Sequence, residues 1–199
     1  MSNLNNLNVK IFLDTANLDV IKKSLIQYPF IKGFTTNPSL MHKEGVKDYE
    51  KFCNDALNIS SNLPISFEVF SDQINEMEKE ARIINSWGGN SYVKIPITNT
   101  KGDSTAEVIH NLTKDNIKVN VTAIFTTQQL VDIVDCFKND TPSIVSVFAG
   151  RIADSGIDPI KTMTQCSESI SEKENIELLW ASSREILNIF QAEESKSDI

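Results

Sequence analysis

Short apolar runs alternate with longer amphipathic stretches along this chain of 199 residues. The short runs are rich in β-branched and aromatic residues, which favours strands, whereas the stretches between them have helical periodicity. The pattern predicts strands at 9–13, 33–35, 65–70, 91–95, 118–122, 143–148 and 176–181, and helices at 18–27, 46–59, 75–87, 104–112, 128–137, 159–170 and 184–191. Such strand–helix repeats indicate βα units around a parallel sheet. The runs read as apolar throughout, which is expected when both faces of a sheet are covered.

Polar residues near the carboxyl ends of these strands separate two possible architectures. Each predicted strand ends on or near a side chain that can react or form hydrogen bonds, namely Asp14, Asn37, Glu68, Lys94, Asn120 with Thr122, Ser146 and Ser182. An open doubly wound sheet concentrates its site at one switch point, whereas a (β/α)8 barrel gathers groups from all strands onto one face. We therefore predict an α/β protein with the (β/α)8 TIM-barrel fold, formed by residues 1–199 as a single domain.

The barrel interpretation leaves one strand unaccounted for. Only seven βα units are present, and residues 197–199 stand where an eighth strand would begin. A TIM barrel typically has about 250 residues, so we expect the last strand and helix to be missing from this chain. Either the C-terminus is truncated or the final strand comes from elsewhere. Unpaired strands at the gap would invite association, and a homo-oligomer is possible.

Composition narrows the classes of partner and location. The net charge is −8 and the basic residues are scattered, which argues against nucleic-acid or membrane-surface partners. No apolar stretch approaches the roughly 20 residues of a membrane span, and the N-terminus lacks the features of a secretory signal. Three widely spaced cysteines favour free thiols in a reducing cytoplasm. No cluster of residues has metal-ligand spacing, so we expect no metal.

Lys94 carries the most chemical information, because it lies in the apolar run 92–96. Burial favours the neutral form of a lysine, and a neutral amine in an apolar pocket is a nucleophile that can form a Schiff base with a carbonyl. The alternative is a lysine on an edge strand whose head reaches solvent along its methylene stem. Taken alone, the segment favours that alternative.

Three further polar residues have both a local and a chemical interpretation. Asn37 precedes Pro38 and reads first as the cap of a helix. Asp14 closes an apolar strand, a position that capping alone does not explain. Glu68 is flanked by apolar residues inside a predicted strand, where a carboxylate costs several kcal/mol unless it is paired or hydrogen-bonded.

Together these segments resemble the transaldolase family, including its shorter members related to the fructose-6-phosphate aldolases. The resemblance rests on six stretches that follow one another at βα spacing: FLDTA at 12–16, GFTTNPS at 33–39, YVKIP at 92–96, NVT at 120–122, SVFAGR at 146–151 and WASSR at 180–184. They cover the chain from about residue 9 to residue 192. Each stretch is weak alone, but six in register are highly specific.

The resemblance implies a class I mechanism without metal or organic cofactor. Lys94 would form the Schiff base with a ketose phosphate, Glu68 would act through a bound water as acid and base, and Asp14 would take the proton of the C4 hydroxyl as the C3–C4 bond breaks. Substrate and water would be held by Asn37, Asn120, Thr122 and Ser146. Two carboxylates beside one amine can divide such proton transfers if their environments separate their pKa values.

The resemblance assigns phosphate recognition to Arg151, Ser182 and Arg184, and guanidinium groups suit phosphate oxygens. The alternatives are surface roles: an ion pair of Arg151 with Asp154 or Asp158, and an exposed helix start for Arg184.

Two positions bear on the reaction itself. Transaldolases carry Glu and Phe where the fructose-6-phosphate aldolases carry Gln and Tyr, and this chain has Glu68 and Phe148. The sequence therefore favours transfer of a dihydroxyacetone unit between sugar phosphates of the pentose phosphate pathway. Aldol cleavage of fructose 6-phosphate is the alternative within the enzymes. A non-catalytic protein that binds sugar phosphates is the alternative outside them.

Overall fold

The computed structural model describes residues 7–199 and shows seven parallel strands, each hydrogen-bonded to the next in chain order. The strands are β1 (Ile11–Asp14), β2 (Ile31–Thr35), β3 (Ile65–Glu68), β4 (Ser91–Pro96), β5 (Val119–Ile124), β6 (Ser143–Val147) and β7 (Ile176–Trp180). All seven predicted strands are therefore confirmed, with ends that differ by a few residues. Because every pairing is parallel, all carboxyl ends lie at one rim of the curled sheet.

Helices connect the strands and cover the outside of the sheet. They are α1 (Leu18–Gln27), α2 (Pro38–Lys43), α3 (Tyr49–Ile59), α4 (Ile74–Ser86), α5 (Ala106–Lys114), α6 (Thr127–Val131), α7 (Ala149–Asp154), α8 (Pro159–Ser169) and α9 (Leu187–Glu194), with a 3-10 turn at Val134–Cys136. Side-chain caps explain several starts, since Asn17, Asn37, Asp48, Thr126 and Asp158 each accept a hydrogen bond from a backbone N–H of the helix that follows.

Several helix predictions needed correction. The predicted helix at 46–59 begins at Tyr49, and the one at 128–137 breaks into α6 and the 3-10 turn. The six-residue helices α2 and α7 escaped the periodicity analysis because they are shorter than two turns. The last helix starts at Leu187 rather than at 184, since the Asn188 side chain accepts hydrogen bonds from the N–H groups of Arg184 and Glu185 and holds them in a turn.

The two faces of the sheet differ, which corrects the expectation of strands that are apolar throughout. The outward residues join one large hydrophobic cluster with the helices, with Phe34, Phe67 and Val121 among its fully buried members. Inside the curl, a smaller apolar cluster contains Tyr92, Ile144, Leu179 and Ile199. On β3 to β6, the inward positions nearer the carboxyl ends are polar.

The curled sheet is bridged between its first and last strands by residues 198–199. The N–H of Lys10 donates to the carbonyl of Asp198 at 2.8 Å, and the N–H of Asp198 donates to Leu178 O at 2.9 Å. On the β7 side, the N–H of Trp180 also donates to Ile199 O at 2.8 Å. These residues therefore lie where the sequence placed the start of an eighth strand. The architecture is that of a (β/α)8 TIM barrel with this position only begun.

Within residues 7–199, no helix combines the length and the apolar character that crossing a bilayer requires.

Candidate active site

Lys94 lies on β4 between β3 and β5, with its side chain inside the curl of the sheet. Only 7% of the residue is exposed, and Nζ donates a hydrogen bond to the carbonyl oxygen of Thr36 at 2.6 Å. Burial lowers the pKa of the amine, while the negative charges of Glu68 and Asp14 oppose that shift. The strand is central and the head group is enclosed, so the edge-strand alternative for this lysine is wrong.

Glu68 is the last residue of β3 and the register partner of Lys94 on β4. Burial raises the pKa of its carboxyl group, Lys94 counteracts the rise, and Asp14 adds to it. Within the described part of the chain its carboxyl oxygens accept no hydrogen bond. A raised carboxyl pKa beside a lowered amine pKa brings the two groups closer in proton affinity, which favours proton exchange between them.

Asp14 ends β1 at the same rim and is held by two neighbours from the β2 segment. Its Oδ1 accepts a hydrogen bond from Thr35 Oγ1 at 2.6 Å, and its Oδ2 lies 3.5 Å from Nδ2 of Asn37. The other end of the Asn37 amide caps α2, because its Oδ1 accepts from the N–H of Leu40 at 3.0 Å. Asn37 therefore serves as a cap and also presents an N–H group at the rim.

Thr35 was missed by the sequence reasoning, although one signal pointed to it. It is the register partner of Asp14 in the β1–β2 pairing, so its hydroxyl stands beside the carboxylate. A polar residue at a strand end, paired with a predicted site residue, is a candidate for orienting that residue.

Asn120 and Ser146 form a buried chain of hydrogen bonds inside the barrel. Asn120 Nδ2 donates to Ser66 Oγ at 2.9 Å, and Ser146 Oγ donates to Asn120 Oδ1 at 2.7 Å. Each of these predicted substrate contacts is thus already engaged with a neighbour, and Ser66 is a member that sequence reasoning missed. Thr122 lies two residues nearer the rim, 5% exposed, and its side chain forms no hydrogen bond to any described residue.

An aromatic pair stands at the ends of β5 and β6. The rings of Phe125 and Phe148 meet edge to face with centroids 5.4 Å apart, and the guanidinium carbon of Arg151 lies 5.9 Å from the centroid of Phe148. Arg151 is exposed and forms no ion pair within residues 7–199, so the alternative pairing with Asp154 or Asp158 is wrong. Phe125 was not singled out from the sequence.

The loop after β7 packs tightly against the start of α7. The N–H of Gly150 donates to Ala181 O at 3.2 Å, and a Cβ on Gly150 would stand 1.8 Å from the carbonyl oxygen of Ser182. Ser182 itself has a φ of 64°, in the left-handed region. This close approach brings Ser182 next to the segment that carries Arg151. Only glycine at 150 permits it.

Arg184 is exposed, but its guanidinium group is already paired. Its guanidinium forms an exposed ion pair with Asp154 at the end of α7. An exposed pair of this kind contributes about 0–1 kcal/mol, so an incoming anion can displace it at small cost.

The described residues contain no group of three or more His, Cys, Asp or Glu side chains placed to hold a metal ion, and all three cysteines are free thiols.

The fold and site thus define an α/β barrel with a buried lysine and two carboxyl groups at its carboxyl-terminal rim. The model of the transaldolase/fructose-6-phosphate aldolase family matches residues 11–198. The chain belongs to that family.

Individual relatives agree with this assignment. The chain is 33% identical over 194 residues to a probable transaldolase 2 from Listeria monocytogenes, covering 96% of this chain and 83% of that protein. A probable transaldolase from Caldicellulosiruptor saccharolyticus is 35% identical over 194 residues, covering 96% and 84%. Another from Thermoplasma volcanium is 38% identical over 163 residues, covering 78% and 69%.

Among solved structures, dihydrodipicolinate synthase from Rhodopseudomonas palustris aligns with 84% of this chain and 62% of its own. The TM-score is 0.45 at 10% sequence identity, and nothing functional follows from a likeness at that level.

Proposed function

We propose that this protein is a transaldolase that moves a dihydroxyacetone unit between sugar phosphates through a Schiff base on Lys94. The donors would be fructose 6-phosphate and sedoheptulose 7-phosphate, and the acceptors erythrose 4-phosphate and glyceraldehyde 3-phosphate. The reaction belongs to the non-oxidative pentose phosphate pathway in the cytoplasm. The observation that carries the proposal is the buried amine of Lys94 with two carboxyl groups acting on it.

Schiff base formation needs an amine that is neutral and a group that shuttles protons. The amine of Lys94 attacks the C2 carbonyl of the ketose and gives a carbinolamine, which loses water to form the iminium. Glu68 donates and accepts the required protons through a bound water. Its raised pKa suits both roles, because a carboxyl group that holds its proton more tightly can donate it as well as accept it. Thr122, whose hydroxyl is unengaged by described residues, holds that water.

Carbon–carbon cleavage needs a base at the C4 hydroxyl. Asp14 accepts that proton as the C3–C4 bond breaks, the aldose leaves, and the bonding electrons move into the enamine on Lys94. When an acceptor aldehyde arrives, the enamine carbon attacks its carbonyl carbon and Asp14 returns the proton. Hydrolysis of the new iminium then releases the product ketose and the free lysine. Thr35 orients the carboxylate of Asp14 for these steps.

We assign phosphate binding to Arg151 and Ser182, which follow β6 and β7, and the close approach of Gly150 to Ser182 supports this assignment. Arg184 also binds the phosphate once its exposed ion pair with Asp154 is broken. Asn37, Asn120 and Ser146 contact the sugar hydroxyls through the hydrogen-bond donors and acceptors that their existing hydrogen bonds do not use.

Transfer is favoured over simple cleavage by the residues at two positions. Glu68 and Phe148 are of the transaldolase type, and the Phe148 ring offers no hydroxyl that could donate a proton. Cleavage of fructose 6-phosphate to free dihydroxyacetone in the absence of any acceptor would favour the aldolase alternative instead.

The deciding experiment is borohydride reduction in the presence of fructose 6-phosphate, followed by peptide mass mapping. We expect one reduced adduct on Lys94, absent from Lys94→Ala. The matched control is Lys101→Ala, which removes an exposed lysine from the loop after β4 and should keep the adduct. An adduct on a different lysine, or none from folded protein that binds the sugar phosphate, rejects the mechanism, and the second result supports the non-catalytic alternative.

Asp14→Ala separates the two halves of the reaction. The variant should still form the reducible adduct while exchange of the aldose portion collapses by a factor of 10² or more, in line with the roughly 10²–10⁴-fold contribution of a positioned acid or base. Equal loss of both steps in a folded variant would show that Asp14 has been given the wrong role.

A further inference from the structure

The carboxyl group of Glu68 depends on its backbone for placement. No described side chain or N–H group donates to its carboxyl oxygens, although the residue is half-buried and pairs in register with Lys94. An acid that shuttles protons through a water must stay within hydrogen-bond reach of that water. The end of β3 therefore fixes where the carboxyl group can act.

The backbone carbonyl at the end of β3 lacks the strand partner that the sheet pattern would give it. On the β2 side, the N–H of Thr36 donates to Ser66 O at 3.2 Å. Parallel pairing would place residue 38 opposite the carbonyl of Glu68, two residues further along each strand. Residue 38 is a proline at the start of α2, and proline has no N–H to donate.

Tyr49, the first residue of α3, supplies the missing donor. Its hydroxyl donates to the carbonyl oxygen of Glu68 at 2.8 Å. The ring is held edge to face by Phe70, with centroids 4.8 Å apart at 84°, and by Trp87, with centroids 5.4 Å apart at 88°. Two perpendicular aromatic contacts leave the hydroxyl little freedom to move.

The residues that follow Glu68 are also tied down. The N–H of Val69 donates to Lys94 O at 3.1 Å, and the N–H groups of Phe70 and Ser71 donate to Glu80 Oε2 at 2.7 and 3.0 Å. Of these hydrogen bonds, the one from Tyr49 is made by a side chain to Glu68 itself. Removing it frees the residue that carries the carboxyl group.

We propose that Tyr49 is a positioning residue for catalysis, whose hydroxyl replaces a strand hydrogen bond and thereby holds the carboxyl group of Glu68 over Lys94. This inference rests on the proposed function and adds a specific requirement to it. The tyrosine touches no reacting atom and acts through the Glu68 backbone.

Loss of the hydroxyl leaves a carbonyl at the strand end without a donor, and the peptide can turn toward water to find one. The carboxyl group then moves with it, away from the enclosed position beside Lys94. Misplacement by about 1 Å can cost up to roughly 10² in rate, and for a partial movement we expect about a tenfold loss in kcat. The KM for fructose 6-phosphate should change less than about twofold, because the phosphate contacts lie on other strands.

The pH profile gives a readout that a purely structural role would leave unchanged. In the intact site burial raises the pKa of Glu68. When the carboxyl group gains contact with water the pKa falls toward its ordinary value, so the limb of the rate profile that reports Glu68 moves to lower pH.

The experiment compares Tyr49→Phe with wild type and with Tyr28→Phe. The phenylalanine keeps the ring and its two aromatic contacts, so the variant retains the packing of α3. Tyr28 is exposed, and its side chain forms no hydrogen bond to a described residue, which makes Tyr28→Phe a matched control for loss of a hydroxyl. Rates are referred to the folded fraction from circular dichroism, and borohydride trapping on Lys94 is timed in each protein.

We expect Tyr49→Phe to trap the adduct about tenfold more slowly, with the acid limb displaced and with Tyr28→Phe identical to wild type. If wild type traps the adduct and Tyr49→Phe matches it per folded molecule in rate and pH profile, Tyr49 is structural only and the positioning role is overturned while the proposed function stands. If wild type traps no adduct at all, both proposals fall.

Discussion

Gly150→Ala tests how closely the loop after β7, which carries the proposed phosphate contact Ser182, packs against the barrel. A Cβ at this position would stand 1.8 Å from the carbonyl oxygen of Ser182 and 2.8 Å from its carbonyl carbon. Ordinary van der Waals contact begins at 3.4 Å, so the loop after β7 must move by about 1.6 Å. The obstructing atoms belong to the backbone, and no side-chain rotation can remove the clash.

The structure sets the size of the effect. Overpacking typically costs about 1–3 kcal/mol, and a rigid backbone obstacle belongs at the upper end, near ~3 kcal/mol. For a chain of this length that corresponds to a fall in Tm of about 6–12 °C. The displaced loop also carries Ser182 away from Arg151, so Ser182 loses its proposed hydrogen bond to the substrate phosphate. Because a hydrogen bond to a charged group is worth about 1.5–3 kcal/mol, the KM for fructose 6-phosphate should rise about 10- to 100-fold.

The assay is steady-state transfer from fructose 6-phosphate to erythrose 4-phosphate, with thermal unfolding measured on the same samples. The control is Ala153→Gly, which weakens the same helix at an exposed position by about 1 kcal/mol without approaching the loop. It should lower the Tm with little change in KM. A Gly150→Ala protein with wild-type Tm and KM would refute the close approach, and a lower Tm with unchanged KM would refute the phosphate role of Ser182.

Three further substitutions probe single interactions. Glu68→Gln should abolish transfer yet raise the Tm near neutral pH, measured across a pH series. The pKa of Glu68 is higher in the folded than in the unfolded protein, so the stability that its protonated carboxyl group supplies is present at low pH and is lost as the pH rises through the folded pKa. The gain in Tm of Glu68→Gln over wild type should therefore vanish below pH ~4. Thr35→Val removes the 2.6 Å bond to Asp14 and should slow aldose exchange about tenfold with adduct trapping unchanged, whereas slower trapping would contradict it. Ala123→Gly should raise stability by about 0.5–1 kcal/mol in urea unfolding, because Ala123 has a φ of 59° and glycine tolerates that conformation; destabilisation would show that the methyl packs usefully.

The order and direction of the strands could be predicted from the sequence because each is a short apolar run between helical segments. Polar side chains near the strand ends were predicted, but the strands were described as apolar throughout because their inward positions are mixed. Ser66 and Asn120 occupy the same face as apolar Tyr92 and Ile144, so the alternation is invisible in any one strand and emerges only when the sheet curls. Helices α2 and α7 were not predicted for another reason, because six residues are too few to show a helical period of apolar residues.

Strand-end residues of the candidate site were also predictable, but their hydrogen bonds were not. Lys94, Glu68 and Asp14 are charged residues in or directly beside predicted apolar strands, which marked them. Thr35 also ends a predicted strand, but its hydroxyl gained meaning only from the register that places it beside Asp14, and Tyr49 has no sequence signal. Tyr49 contacts a backbone carbonyl from a helix 19 positions earlier in the chain, and a pairing of that kind is fixed only by the packing of α3 on the sheet.

The contacts that hold the three proposed catalytic residues come from elements between β1 and β4 in the described chain. Asp14 is oriented by Thr35 on β2, Lys94 donates to a carbonyl just beyond the same strand, and the Glu68 backbone is held by Tyr49 on α3. Residues 198–199 contribute elsewhere, bonding to Lys10 just before β1 and to Leu178 and Trp180 of β7. No hydrogen bond among residues 7–199 links that bridge to the three ionisable side chains. Ser182 lies two residues beyond Trp180, whose N–H donates to Ile199 O, so the loop after β7 is the part of the candidate site that is attached to the bridge.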